Sequence, residues 1–180
     1  MRRLLILFLA AGLFSGTLRA DSEARIVQLK GSAGGSHVSV TFQLENGFSR
    51  PEILDALRSG VSTGFTYHFE LIRKRPNWFD QRISTATVEV IATYNSITQE
   101  YLLNYRRNRR LIRTEVFTRF DALEREMTVI SETHLLPLEG RRPEKVRVRV
   151  RADLMQGYLL HIVPWNISTG WEQARVGTAR

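Results

Sequence analysis

From Val38 onward the chain alternates. Val38, Val40, Phe42 and Leu44 are separated by Ser39, Thr41 and Gln43, a period of two that a strand buries on one face. The period returns at Phe65, Tyr67, Phe69 and Leu71, interleaved with Thr66, His68 and Glu70. It returns again at Ala86, Val88, Val90, Ala92 and Tyr94, and at Tyr101, Leu103 and Tyr105. Thr133 to Leu138 reads as a short strand. Val146, Val148 and Val150 against Lys145, Arg147, Arg149 and Arg151 give the clearest alternation of all. Tyr158 to Trp165 is predicted as the last strand. Two stretches break this rhythm. Ile53, Leu54 and Leu57 form a helical stripe over 51–59, with Ser49 as N-cap, Glu52 completing a capping box and Gly60 as the stop. Phe120, Leu123, Met127 and Ile130 stand at helical spacing over 119–130, behind Thr118 as cap.

Turn chemistry separates these runs: Asn46-Gly47, Pro76 to Asp80, Asn95-Ser96, a hairpin at Arg106 to Arg110, and a loop at Glu139 to Pro143. About seven strands with two short helices in the connections predict a mainly β protein, an antiparallel β-sandwich of immunoglobulin-like type. Alternation with one wet face is an antiparallel signature. The predicted core includes Phe65, Tyr67, Phe69, Leu71, Val88, Val90, Val146, Val148 and Val150.

The first residues follow a different logic. Met1-Arg2-Arg3 precedes an apolar run from Leu4 to Phe14, and Ala20 offers a small residue at a cleavage point before Asp21. A basic start, a short apolar centre and a small residue form a secretory signal. The run is shorter than the roughly 20 apolar residues a spanning helix needs. The expected organisation is a signal peptide over 1–20, a flexible leader over 21–36, a single sandwich domain over 37–176 and a tail over 177–180. The expected location is the periplasm or cell envelope.

Composition sharpens this picture in two ways. The chain has no cysteine, so disulfides, thiolate metal sites and a cysteine nucleophile are excluded. Its formal charge is +8 and its pI near 10.5. Arginine dominates, with Lys30, Lys74 and Lys145 the only lysines. An exported basic protein points to an acidic protein partner, an anionic lipid or an anionic glycan. Nucleic acid is not an expected partner, because export separates the two and no helix carries a dense basic face.

Candidate chemistry is sparse. His37, His68, His134 and His161 form no paired motif. His68 and Glu70 share a strand face, where both side chains point at one ligand or stand solvated side by side; no third metal ligand adjoins them. No nucleophile elbow and no phosphate loop is present. Asp80 reads as a turn cap, and Asn166-Ile167-Ser168 matches the glycosylation pattern, a match frequent by chance. No catalytic residue, metal ligand or cofactor site is assigned. The dense constellation is basic: Lys145, Arg147, Arg149 and Arg151 along one strand face, with Arg141 and Arg142 just before it. Such a stripe has three explanations. Acids on neighbouring strands offset it, an anionic partner binds it, or it protects a sheet edge from aggregation.

The run from Pro51 to Val61, the strand Phe65 to Leu71, Trp78-Phe79-Asp80, the hairpin Tyr94 to Tyr101, Phe120-Asp121-Ala122-Leu123 and Trp171 occur in a telling order. Together they resemble an exported bacterial family catalogued as domain of unknown function 4390, over about Val38 to Trp171. The carboxyl end departs from it, with Glu172-Gln173-Ala174-Arg175 in place of a more aromatic close. The resemblance implies an exported, non-enzymatic protein, in a family often encoded near a membrane-bound sensor histidine kinase, with no catalytic residues to carry over. The expected function is therefore an envelope binding or accessory domain acting through protein–protein contacts. The alternative is a peripheral module that holds anionic polymer or lipid headgroups on its arginine-rich strand face; a hydrolase is the third.

Overall fold

A computed structural model describes residues 23–76, 78–155 and 167–178. Its elements run β1 (Arg25–Gly34), β2 (His37–Glu45), α1 (Pro51–Arg58), β3 (Thr63–Arg73), β4 (Gln81–Asn95), β5 (Glu100–Arg107) and β6 (Arg110–Phe117). They continue through α2 (Phe120–Thr128), β7 (Val129–Pro137), a 3-10 turn (Pro143–Lys145), β8 (Arg147–Met155), β9 (Ile167–Ser168) and β10 (Glu172–Thr178). The protein is mainly β, with helices only in connections, as the alternation predicts.

The strands do not form two packed sheets. Among the described residues they make one sheet in the order β6-β5-β4-β3-β8-β10-β1-β2-β7, with β9 attached to β8. This corrects the immunoglobulin-like sandwich: the sheet curls into a half-barrel and packs against itself. Phe42 on β2 meets Tyr67 and Phe69 on β3, at ring separations of 5.0 and 5.8 Å, although three strands lie between β2 and β3 in the sheet. Bulges supply the bend. Pairing slips in β1 between Val27 and Lys30, where Gln28 takes φ 54°. It slips again between β2 and β7, where His134 takes φ 52°. A third slip falls opposite Leu71 and Ile72, and a fourth in the β5–β6 pair. Pairing is antiparallel except between β1 and β10, which is parallel.

The hydrophobic face of the curl is the core. Every residue placed there from sequence is buried: Phe65, Tyr67, Phe69, Leu71, Val88, Val90, Val146, Val148 and Val150. The helix α2 roofs it with Leu123 and Met127, and the Tyr67 hydroxyl donates to the Met127 carbonyl at 2.7 Å. The rim opposite the bend closes through side chains. Ser84 on β4 donates to the Pro137 carbonyl at 2.9 Å. Tyr105 and Arg107 on β5 both bind the buried carboxylate of Glu132 on β7.

Local expectations fared unevenly. Arg25–Gly34, assigned to the flexible leader, is β1, held by β2 on one side and β10 on the other. Alternation is hard to see there because Gly31, Ser32, Ala33 and Gly34 are small. Gly177 and Thr178, expected in the tail, continue β10. Arg50, not Ser49, is the N-cap residue of helix α1, and the Ser49 hydroxyl donates back to the Asn46 carbonyl at 2.9 Å. Arg119, not Thr118, is the residue before α2. The Gly60 stop is confirmed: at φ 81° its N–H reaches the Leu57 carbonyl while Val61 reaches Ala56, a Schellman closure. The signal segment, the predicted strand Tyr158 to Trp165, His161 and Asn166 lie outside the described residues. Among the described residues no helix is long and apolar enough to cross a membrane.

Candidate functional site on the outer sheet face

Strand register lays the outward side chains of β10, β8, β3, β4 and β5 in rows across the sheet. One row reads Arg175, Arg147, Ile72, Arg82. The next reads Gln173, Arg149, Glu70, Thr85, and the next Arg151, His68, Thr87. A fourth reads Ser168, Asp153, Thr66, Glu89, Arg106. The face thus grades from purely basic to evenly charged along the strands.

The middle of the arginine stripe is neutralised by one acid on β3 and one on β8 itself. Arg149 donates through Nε to Glu70 Oε2 at 2.7 Å, and Arg82 reaches the other oxygen at 3.3 Å. Glu70 is itself buried, so these cations offset its lost hydration. Arg151 lies 3.2 Å from Asp153 Oδ1, while His68 Nε2 meets Asp153 Oδ2 at 2.8 Å. Trp171 covers both arginines, its ring centroid 4.7 Å from the Arg149 guanidinium and 5.2 Å from that of Arg151. For Arg149 the acid comes from the neighbouring strand, as the structural explanation of the stripe requires; Arg151 is offset by an acid two residues on in its own strand.

The remaining basic residues differ. Arg147 faces Arg175 directly across β8 and β10, and opposed like charges repel. Neither has an acid within ion-pair distance among the described residues, and the same holds for Arg141, Arg142 and Lys145. Lys145 closes the 3-10 turn and does not belong to the strand; Arg141 and Arg142 are exposed in the β7–β8 loop. Structure thus splits the predicted set: two residues serve the sheet, and four stand free at one end of it.

His68 and Glu70 share a face as expected but serve different partners, Asp153 and two arginines. Among the described residues no group of three or more His, Cys, Asp or Glu is arranged to hold a metal. His68 does line an open depression of about 540 Å³ with Thr66, Thr87, Glu89, Asn108 and Arg109. The β5–β6 turn forms one wall. Asn108 and Arg109 both take positive φ, 49° and 66°, as a tight hairpin of two residues requires. Asn108 fixes the turn on β4, accepting from the Thr87 N–H at 2.9 Å and donating its own N–H to the Thr87 carbonyl at 2.8 Å.

Sequence reading missed Asp153, Arg82 and Arg175 as members of this face. Asp153 was detectable, since it extends the period-two stripe by one more step after Arg151. Arg82 was not, because the bulge opposite Leu71 and Ile72 decides which way it points.

Fold and face define a mainly β domain of one curled sheet whose outer surface is an ordered charge lattice. The chain belongs to the family described as Domain of unknown function (DUF4390), whose model matches residues 21–174. No curated protein and no solved structure matches it.

Proposed function

We propose that this protein is an exported, non-catalytic accessory domain of the cell envelope that binds a protein partner along β6. The observation that carries this is the edge itself. Among the described residues strand β6 ends the sheet, pairs only with β5, and leaves Leu111, Ile112 and Val116 more than half exposed. Leu102 and Ile97 extend the apolar surface beside it. Long apolar edges are normally blunted, because they recruit other strands. The occupant is an extended segment of another envelope protein, added as a further strand with apolar residues at alternate positions. Charge sets its direction. Arg109 and Arg110 at the β5–β6 turn have no ion pair among the described residues, whereas Arg113 is balanced by Glu115 and Glu126. The segment therefore carries acids at the end that meets the turn.

Export rests on Met1 to Ala20. On the outer face Glu70, Glu89 and Asp153 are each engaged by a cation. Photo-crosslinkers at Leu111 and Val116 in intact cells test the interface. One envelope protein should be captured from both positions, not from the exposed Val129 on the opposite edge, and capture should vanish in Val116→Lys. Equal capture from Val129, or a product of twice the protein's own mass, overturns it. Amino-terminal sequencing of the envelope fraction should begin at Asp21; full-length protein confined to the cytoplasm defeats the export half.

A further inference from the structure

The free arginines lie at the same end of the sheet as an unusual loop. Strands β3 and β8 are antiparallel, with Ile72 opposite Arg147, so the end of β3 and the start of β8 leave together. Strand β10 finishes there too, with Arg175 opposite Arg147. The β3–β4 loop that projects from this end reads Lys74-Arg75-Pro76, then Trp78-Phe79-Asp80. Trp78 is 73% exposed and Phe79 89%. Neither belongs to the core, and no aromatic or cation–π contact holds either among the described residues.

Two adjacent bare aromatics at a loop tip are unfavourable in water. Tryptophan in particular gains at a membrane–water boundary, where its ring is buried and its N–H stays wet. At the same end of the sheet stand Lys74, Arg142, Lys145, Arg147 and Arg175, all without an acidic partner among the described residues. Unpaired Lys and Arg beside an apolar tip is the pattern that holds acidic headgroups while the tip enters the interface. A soluble polyanion would be served by the cations but would leave the aromatics exposed.

We propose that this end of the domain docks on an anionic lipid bilayer, with Trp78 and Phe79 entering the headgroup region and the surrounding cations binding the acidic headgroups. The surface is separate from β6, so a docked domain keeps its edge open to a partner. The two halves of the interaction are separable by experiment. Wild-type protein should float with phosphatidylcholine vesicles containing phosphatidylglycerol, and not with phosphatidylcholine alone. Binding should weaken steeply with salt. Trp78→Ala with Phe79→Ala should lower the partition coefficient at least about tenfold at unchanged circular dichroism and melting, because neither ring supports the core. Arg142→Glu, Lys145→Glu and Arg147→Glu together should abolish flotation, and Arg147→Glu alone should weaken it in a folded protein. Three results overturn the proposal. One is no flotation on anionic vesicles at low salt. Another is an aromatic double variant that binds them as wild type does. The third is heparin binding that matches vesicle binding in strength and is indifferent to Trp78 and Phe79, which would mark a polyanion site.

Discussion

Removing the guanidinium of Arg107 tests how the half-barrel is closed. Glu132 is the acid on β7 that faces inward, and its side chain is only 4% exposed. Its carboxylate receives the Tyr105 hydroxyl on one oxygen and Arg107 on the other. The pair joins β5 to β7, strands that stand near opposite ends of the sheet order. In Arg107→Met the stem remains while the charge goes, and the carboxylate keeps only the tyrosine. Breaking a buried pair on one side costs about 3–5 kcal/mol. Arg107 itself is one-third exposed, so water reaches the gap and the lower end, about 3 kcal/mol, is expected. With a urea m-value of about 2 kcal/mol/M, the midpoint should fall by roughly 1.5 M. The triple variant Arg107→Met, Tyr105→Phe, Glu132→Leu should regain most of the loss, because an apolar set of similar volume leaves no charge to solvate. Urea titrations of the three proteins decide the matter. A midpoint shift under about 0.5 M for the single variant, or a triple variant no better than the single, refutes the reasoning.

Other expectations are equally direct. Burial pushes the Tyr67 hydroxyl well above its ordinary value; burial, then the bond to Glu132, does the same for Tyr105. A group whose folded value is raised stabilises fully below the unfolded value, so stability should hold to about pH 10 and then fall by up to about 1.4 kcal/mol per pH unit per tyrosine. Absorbance at alkaline pH should show these two tyrosines ionising only with unfolding. Gly64→Ala should destabilise by about 1–3 kcal/mol or more, since a Cβ there would sit 2.0 Å from the Val90 carbonyl oxygen; thermal melting reads it. Arg149→Glu should cost several times more stability than Arg147→Glu. The first places a second acid against buried Glu70, whereas an exposed free charge contributes roughly 0–1 kcal/mol; equal melting temperatures would contradict this.

The period-two pattern determined most of what is local. It named the strands, the core face and the outward direction of Arg147, Arg149 and Arg151, because a strand has only two faces and water selects between them. It also located α1 and α2, whose apolar spacing admits no strand. It could not count sheets. Two flat sheets and one curled sheet need the same alternation, and the choice fell to bulges at Gln28, His134 and opposite Ile72, each an extra residue invisible to a tally of apolar positions. It missed β1, where small residues blur the alternation and pairing with β2 and β10 supplies the order, and it named no strand at β10. Nor could it apportion the arginine stripe. Whether a charge is neutralised depends on the register of the strand beside it, a long-range property. Register set Glu70 beside Arg149 and His68 beside Arg151, whereas Asp153 shares the face of Arg151 through the period of two within β8. The same register left Arg147 facing Arg175, and so gave one end of a uniform stripe a different chemistry from its middle.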